Sequence, residues 1–255
     1  MTARVVKVGG NRAEDLGWIR EVARALAASA TPTVLVHGGG KEVSDLQRAL
    51  GIEPEWSDGL RVTTPHVLEV VRMVLSGAVN KRWAAALLDA GVDALGISGE
   101  DAGLLTGEIS RGGAIGRTGE VTRVRTSLLR GWLAGGLTPV ISPLTRGPDG
   151  GGLNVNADDA ASGIAAALGA AELLFVSDVP GVKAGGVWVQ ALDGVAVDGL
   201  LESGEAAGGM RPKLRAALRA RSEGVGRVRI GDVGMLMDGR AGTRIGNPEE
   251  AAHAG

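Results

Sequence analysis

Two short segments of the sequence combine lysine with glycine in a way that suits anion binding. In KVGGN, Lys7 precedes Gly9 and Gly10 at the end of an apolar run, and in GGMRPK, Lys213 follows a glycine pair at the start of a predicted helix. A lysine is costly to bury unless it faces a charge, and a cation at a helix start is opposed by the helix dipole. Both segments therefore predict a bound phosphate or carboxylate, with a solvent-exposed edge-strand lysine as the alternative for Lys7.

A polar cluster in GGLNVNADDAA precedes an alanine-rich helical run. Asn154, Asn156 and Asp158 alternate, so in an extended segment their side chains would point to one side. A plainer interpretation makes Asn156 a helix N-cap and makes Asp158 and Asp159 favourable acids of the first helical turn. The residues by themselves leave both interpretations open.

Two further segments carry candidate binding groups. In VHGGG, Gly39 and Gly40 open into a predicted helix, and amides without side chains approach a phosphate or carboxylate closely. His37 in the same segment is expected to satisfy local hydrogen bonds rather than to act in catalysis. In GLRVT, the guanidinium of Arg61 suits a substrate carboxylate, with a surface arginine as the alternative. The chain has neither a GxxxxGK[ST] segment nor a GxGxxG opening a first βαβ unit, which disfavours the P-loop and Rossmann folds.

Composition excludes several classes of function. The 255 residues are 44% hydrophobic, enough to bury a large core, and the net charge of −2 provides no field to attract nucleic acid or an anionic membrane. Aromatic residues make up 2%, so stacking platforms for nucleic-acid bases are not expected. There is no cysteine, and the histidines, His37, His66 and His253, are far apart in sequence, so no protein-bound metal is predicted. Without a signal-peptide core or a long apolar run, the protein is expected in the cytoplasm.

Strand-like runs alternate with helical patterns through the chain, which favours a mainly parallel sheet covered on both faces. Hairpins are predicted within residues 107–124 and around VKAGGVWVQ. A helix is predicted to begin near Thr64, with Thr64 as its N-cap and Pro65 in its first turn. A further helix is predicted from about Pro212 to Glu223. Ligands of such sheets bind at the carboxyl ends of the strands, where the glycine and polar clusters fall.

The order of eight motifs resembles the amino acid kinase family over nearly the whole chain. They are KVGG, VHGGG, GLRVT, GAVNK, GISGEDAG, NVNADDAA, SDVPGV and GGMRPK. The resemblance implies an α/β fold, a three-layer αβα sandwich with a mainly parallel central sheet. It implies an N-lobe, residues 1–146, for acyl-amino-acid binding and dimerisation, and a C-lobe, residues 147–255, for ATP. Within the family the motifs are most similar to members that phosphorylate the γ-carboxylate of N-acetyl-L-glutamate in arginine biosynthesis, with Mg²⁺ held mainly by the ATP phosphates.

The resemblance also implies roles for single residues. Lys7 and Lys213 correspond to the lysines that neutralise the transferring phosphoryl group from opposite sides, and Asp158 to the aspartate that holds both. The substrate-binding positions are Gly39, Gly40, Arg61 and Asn154. The phosphate- and nucleotide-binding positions are Gly9, Gly10, Ser177, Asp178, Gly181, Gly208, Gly209 and Met210. Asn156 and Asp159 keep the roles of cap and first-turn acid.

Alternatives remain within and outside this family. A related kinase acts on aminoadipate or glutamate linked to a small acidic carrier protein, but that group resembles NTDGD and GRMKRK where this chain has NVNAD and GGMRPK. A noncatalytic sensor of nucleotides or amino acids is a second alternative, although both lysines and Asp158 are present. A basic face for the carrier protein of the first alternative would comprise Arg111, Arg117, Arg123, Arg125 and Arg130.

The resemblance also bears on assembly. Members of the family that are hexameric and inhibited by arginine carry a helix before the first strand, and this sequence shows none there, so the resemblance implies a homodimer without arginine feedback.

Overall fold

The computed structural model describes residues 3–246 of the chain, in which strands and helices alternate. The strands are β1 (Arg4–Val8), β2 (Thr33–His37), β3 (Trp56–Ser57), β4 (Leu60–Arg61), β5 (Ala94–Ser98), β6 (Leu105–Ile109), β7 (Thr118–Val124), β8 (Thr138–Ser142), β9 (Leu144–Arg146), β10 (Gly152–Val155), β11 (Glu172–Val176), β12 (Val182–Ala184), β13 (Val187–Val189), β14 (Ala191–Leu192), β15 (Arg227–Gly231) and β16 (Thr243–Ile245). The α-helices are α1 (Leu16–Ala27), α2 (Gly40–Ala49), α3 (Pro65–Val71), α4 (Asn80–Asp89), α5 (Thr126–Ala134), α6 (Ala157–Leu168), α7 (Gly194–Glu202) and α8 (Met210–Ser222), and a π-helical segment, Arg72–Val79, joins α3 to α4.

The central sheet has eight strands in the order β14-β16-β15-β11-β1-β2-β8-β5. All neighbouring pairs in it are parallel except β15 with β16. This confirms the predicted, mainly parallel sheet. No helix within residues 3–246 has the length and apolarity needed to cross a membrane.

Helices cover both faces of the sheet. Successive residues of a strand point to opposite faces, and Val5 and Val6 of β1 accordingly belong to two different hydrophobic clusters. The cluster around Val5 includes residues of α5, α6 and α8, whereas the cluster around Val6 includes residues of α1, α3 and α4. Because both faces are buried, the strands read as nearly continuous apolar runs. The arrangement is the predicted three-layer αβα sandwich.

Most local predictions are confirmed, with one shifted boundary. The Thr64 hydroxyl accepts from the amide of Val67, which caps α3 with Pro65 at its start. The strands β6 and β7, like β12 and β13, form antiparallel hairpins. Helix α8 begins at Met210, two residues before the predicted Pro212. Proline fits there because the first amides of a helix have no partner within it.

The segment TRGPDGGG comprises the end of β9, the turn over residues 147–151 and the first residue of β10, and the two strands pair antiparallel. With β6 and β7, these strands make a small closed sheet in the order β10-β7-β6-β9. Asn154 of β10 pairs with Thr118 of β7 and with Leu144 of β9. The predicted lobe boundary at residues 146 and 147 lies at the start of this turn, and the division of function between the two lobes stays a prediction.

Candidate active site

The carboxyl ends of β1, β2 and β11 face the N-termini of α2, α6 and α8 across a cavity of about 450 Å³. These strands are neighbours in the central sheet, so the loops that follow them meet at one edge. Segments that are far apart in sequence therefore line the same space. Among the predicted positions that line it are Lys7, Gly39, Asp158 and Lys213.

Two lysines share one buried aspartate in this cavity. The Nζ of Lys7 lies 2.7 Å from Oδ1 of Asp158, and the Nζ of Lys213 lies 3.5 Å from the same oxygen. Each of these residues is 5% exposed. Two ammonium groups with one carboxylate leave a net positive charge on side chains that are largely shielded from water. An anion in the cavity would therefore be strongly attracted.

Each member of this trio is placed by a different element. Lys7 precedes the last residue of β1 and points to the face covered by α6 and α8, as Val5 does. Asp158 lies in the first turn of α6, where the side chain of Asn156 accepts from the amides of Asp158 (2.8 Å) and Asp159 (3.3 Å). Lys213 lies in the first turns of α8. The predicted capping role of Asn156 is confirmed, and its side chain therefore does not join the trio.

The charges of the trio perturb one another. Burial opposes ionisation of Asp158, but the two lysines outweigh it, and the pKa of Asp158 is below its ordinary value. Burial and the like charge of Lys7 lower the pKa of Lys213 to about 8, against the opposing effect of Asp158. Asp158 thus stays ionised at neutral pH, and Lys213 changes charge in the mildly alkaline range.

The glycine segments bring backbone amides close to the trio. A Cβ atom on Gly10 would lie 2.5 Å from the amide nitrogen of Gly39, so neither loop has room for a side chain there. Within residues 3–246, the amides of Gly10, Gly39 and Gly40 have no backbone acceptor, whereas the amide of Gly9 donates to the carbonyl of Val176 (3.0 Å). The amide of Gly9 is therefore not free to bind an anion, because this residue continues the pairing of β1 with β11.

Arg61 reaches the cavity with its positive charge unpaired. Its guanidinium donates to the Gly40 carbonyl (2.8 Å), to the Ser44 hydroxyl (2.8 Å) and to Oε1 of Gln47, and it lies 4.4 Å from the ring centroid of Trp56. No carboxylate within residues 3–246 forms an ion pair with it. Burial, with a smaller effect of Arg48, lowers the pKa of Arg61 to about 10, so it is charged at neutral pH.

A chain of hydroxyl groups orients the amide of Asn154. Its Nδ2 donates to the hydroxyl of Thr63 (3.1 Å), which in turn donates to the carbonyl of Arg61 (2.9 Å). The hydroxyl of Thr118 donates to the same carbonyl (2.6 Å). Because Thr63 and Thr118 are fully or almost fully buried, this network fixes Asn154 relative to Arg61.

The predicted nucleotide positions divide into two groups. Ser177, Asp178, Gly209 and Met210 line the cavity, next to the lysines. Gly181 and Gly208 do not line it. A Cβ on Gly181 would lie 2.6 Å from the Thr243 hydroxyl, so close packing with β16 requires glycine there. Gly208 has a φ of +53°, and the turn before α8 favours glycine at that position.

Two other polar residues have the structural roles expected of them. The ring of His37 is buried and hydrogen-bonds the Gly38 carbonyl through Nδ1 and the side-chain amide of Asn80 through Nε2. Burial lowers the pKa of His37 to about 4. His37 does not line the cavity. Asp159 of α6 binds Arg219 of α8 at 2.6 Å. Of the other histidines, His253 lies outside the described residues.

Several residues that line the cavity were not predicted from sequence: Arg12, Trp18, Gly38, Trp56 and Thr118. Trp56 is five residues before Arg61 in the short β3–β4 hairpin, and antiparallel pairing sets the two directly opposite each other. The aromatic residue near GLRVT was the available signal. Thr118 is 57 residues from Arg61, and no spacing rule connects them.

Comparisons with known proteins agree with this geometry. The sequence profile described as Amino acid kinase family matches residues 2–232. The acetylglutamate kinase of Chloroflexus aurantiacus (strain ATCC 29366 / DSM 635 / J-10-fl) is 47% identical over 251 residues, which cover 97% of this chain and 98% of the relative.

Solved structures show the same fold. The structure of smu.665 from Streptococcus mutans UA159 superposes with a TM-score of 0.82 at 26% identity, covering 96% of this chain and 98% of that one. N-acetylglutamate synthase from Neisseria gonorrhoeae, complexed with coenzyme A and N-acetyl-glutamate, gives a TM-score of 0.83 at 25% identity, covering 96% of this chain and 59% of that one. Since both the sequence profile and a whole-length relative match a chain with this fold, the chain belongs to the amino acid kinase family.

Proposed function

We propose that this protein is an acetylglutamate kinase, which transfers the γ-phosphoryl group of ATP to the γ-carboxylate of N-acetyl-L-glutamate. The products are N-acetyl-L-glutamyl 5-phosphate and ADP, in the biosynthesis of arginine. The observation that carries the proposal is the buried trio of Lys7, Asp158 and Lys213, which opens into the same cavity as the unpaired charge of Arg61. The whole-length similarity to an acetylglutamate kinase supports the choice of substrate.

The reaction requires charge and positioning more than proton transfer. A carboxylate is ionised at neutral pH and is already a nucleophile, so the protein needs no general base. Phosphoryl transfer passes through a loose transition state whose charge is spread over the phosphoryl oxygens. Lys7 and Lys213 supply fixed positive charge for those oxygens, and Asp158 holds both ammonium groups in place.

The acyl amino acid is assigned to the part of the cavity near α2. Arg61 binds its α-carboxylate and Asn154 its amide, because both groups are held by neighbours and have binding capacity left for a ligand. The open amides of Gly39 and Gly40 lie at the N-terminus of α2, where the helix dipole favours negative charge. They are placed to receive the reacting carboxylate and the transferring phosphoryl group.

The nucleotide is assigned to the side of the cavity formed by Ser177, Asp178, Gly209 and Met210. The lysines and the amide of Gly10 fit phosphate oxygens. Residues 3–246 contain no cluster of three His, Asp or Glu side chains suited to a metal ion, so we assign Mg²⁺ to the ATP phosphates, where it would offset their charge. Gly181 and Gly208 support this region by packing and by turn formation.

A carrier-linked substrate is the second candidate. Of the five arginines of the predicted basic face, Arg111 pairs with Asp58 (2.8 Å) and Arg117 with Asp149 (2.6 Å). These ion pairs reduce the positive charge that an acidic carrier would meet. The free amino acid is therefore favoured. A homodimer without arginine feedback and a cytoplasmic location remain proposals.

Trapping of the acyl phosphate with hydroxylamine tests the activity directly. With ATP and Mg²⁺, we expect hydroxamate from N-acetyl-L-glutamate and far less from glutamate or N-acetylaminoadipate. Product from a carrier-linked substrate alone would support the carrier-dependent kinase. If no substrate yields product while ATP still binds, the noncatalytic sensor becomes the correct interpretation.

The pKa of Lys213 predicts an alkaline limit on activity. Because the charged form is required, kcat/KM should fall as the pH rises through about 8, approaching about tenfold per pH unit. In Lys213→Arg, any remaining activity should lack this limb, since a guanidinium stays charged. A wild-type profile that is flat from neutral pH to well above 8 would contradict the assignment.

Deprotonation of Lys213 cannot cause the same loss of activity at alkaline pH by unfolding the protein. The pKa of Lys213 in the folded protein, about 8, is below its ordinary value of 10.5, so between these values the unfolded chain binds more protons. The contribution of Lys213 to stability therefore rises with pH over this range. Activity and this contribution should move in opposite directions, which thermal unfolding curves at each pH will show.

A further inference from the structure

Gln47 is a fully buried polar side chain on the inner face of α2. Burial of an amide is unfavourable unless it is hydrogen-bonded, and an apolar residue would suit this face of the helix better. Its Oε1 accepts from Nη1 of Arg61, whereas its Nε2 has no partner within residues 3–246. The contact with Arg61 is thus the one described interaction that offsets the burial of this side chain.

Arg61 differs from four other shielded arginines, Arg72, Arg82, Arg117 and Arg229, in the kind of partner it has. Arg229 binds Glu172 at 2.9 Å and Arg72 binds Glu100 at 2.6 Å, so both are neutralised by carboxylates. Arg82 with Glu42 and Arg117 with Asp149 follow the same rule. The partners of Arg61 are all neutral: a backbone carbonyl, a hydroxyl, an amide oxygen and an indole ring.

These neutral contacts restrain the guanidinium from several sides. Nη1 donates to Gln47, and Nη2 donates to the Gly40 carbonyl and the Ser44 hydroxyl. The ring of Trp56 covers the planar face of the guanidinium. A guanidinium carries five N–H groups, and three of them are used in these contacts. The N–H of Nε and one N–H of Nη1 have no acceptor among the described residues. The group is therefore fixed in place while its charge and two donors remain available.

We propose that Gln47 is a positioning residue for substrate binding: a neutral side chain that orients Arg61 without neutralising it, so that the charge is kept for the carboxylate of the acyl amino acid. The inference rests on the proposed function in taking Arg61 as the ligand of that carboxylate. Gln47 does not line the cavity and acts through Arg61.

Replacement of Gln47 by glutamate separates positioning from simple support of the fold. Gln47→Glu keeps the shape of the side chain and adds a negative charge beside Arg61, so a buried ion pair forms and competes with the substrate. The KM for N-acetyl-L-glutamate should rise about tenfold to a hundredfold. The KM for ATP and kcat at saturating substrate should stay within about twofold, and the melting temperature should not fall.

Gln47→Leu is a second variant for the same test, and it can be measured even if Gln47→Glu does not fold. Loss of the acceptor loosens Arg61 but adds no competing charge, so the KM for the acyl amino acid should rise less than in Gln47→Glu. A residue that only supported the fold would give the reverse order, since glutamate is a better partner for arginine than leucine. That reverse order, or an unchanged KM in both variants, would overturn the inference.

Two controls separate this inference from the proposed function. Gln190→Glu makes the same chemical change at an exposed position and should leave every constant unchanged. Arg61→Ala should raise the KM for the acyl amino acid by at least as much as Gln47→Glu. If Arg61→Ala leaves that KM unchanged, the assignment of Arg61 in the proposed function is wrong. If Arg61→Ala raises it and both Gln47 variants do not, only the role of Gln47 is wrong.

Discussion

Replacement of Asp158 by asparagine is expected to lower kcat by about a hundredfold to a thousandfold, the range typical for loss of one group that organises transition-state charge. The carboxylate is 2.7 Å from the Nζ of Lys7 and 3.5 Å from that of Lys213, and asparagine has the same shape without the charge. The two ammonium groups would then repel each other and lose their fixed positions. Steady-state assays of the purified variant measure the effect.

The same change should also destabilise the fold. Two buried ammonium groups would remain without a counter-ion, at a cost of about 3 kcal/mol in the free energy of unfolding. Part of that cost will be avoided by loss of a proton from Lys213, whose pKa would fall further without the carboxylate. Activity should therefore be measured well below the melting temperature of the variant, so that unfolding does not contribute to the loss.

Asp159→Asn is the matched control. Both aspartates lie in the first turn of α6, so both variants lose the same interaction with the helix dipole. Asp159 binds Arg219 in a pair that is 32% to 42% exposed, which is worth about 1 kcal/mol or less. We expect kcat to stay within about twofold of wild type. Equal losses in the two variants would show that the helix turn, and not the lysine pair, is what catalysis requires.

Replacement of either lysine by methionine is expected to have the second large effect on kcat. Unlike Asp158→Asn, the replacement of Lys213 should not lower the stability of the fold. Lys213→Met and Lys7→Met should each lower kcat by about a hundredfold or more, with much smaller changes in the KM for N-acetyl-L-glutamate. Lys213→Met removes a desolvated charge and leaves one lysine paired with one aspartate. The melting temperature of this variant should thus be unchanged or higher.

Lys183→Met serves as the control for loss of a positive charge. Lys183 is exposed in β12, lies over the ring of Trp188 and does not line the cavity. Its replacement should leave kcat unchanged. If Lys7→Met and Lys213→Met also retain full kcat, the proposed mechanism is wrong. The double variant Asp158→Asn with Lys213→Met should lose much less than the product of the single losses, because the three groups act as a unit.

The main elements of the fold were predictable from local pattern. Strands such as TVLVH of β2 read as continuous apolar runs because both faces of the sheet are covered, and the alternation with helical segments indicated parallel pairing. Caps were equally clear: Thr64 and Asn156 bond to amides two or three residues ahead, an interaction decided within a single turn. Such features depend on neighbours in sequence, so sequence alone reveals them.

Other features depend on contacts between residues that are far apart in sequence, and local patterns do not reveal such contacts. Gly9 and Gly10 are adjacent, but the sheet uses the amide of Gly9 and leaves that of Gly10 open. Gly181 and Gly208 lie in segments of the predicted nucleotide site, and packing against Thr243 and turn conformation give each a structural reason to be glycine. Their contact with the nucleotide stays a prediction. Gln47 gave no signal of a role, since a single polar residue in an amphipathic helix ordinarily faces solvent.

The sequence by itself determined which residue types are available and which lie at the ends of strands and helices, because propensity, periodicity and capping act over a few residues. The tertiary structure alone decided their partners. Lys7, Asp158 and Lys213 are more than fifty residues apart in sequence, and only the order of strands in the sheet makes them neighbours. Burial and the neighbouring charges then shift the pKa values of Asp158 and Lys213. The packing around Arg61 leaves its charge unpaired, since neutral groups occupy every described contact.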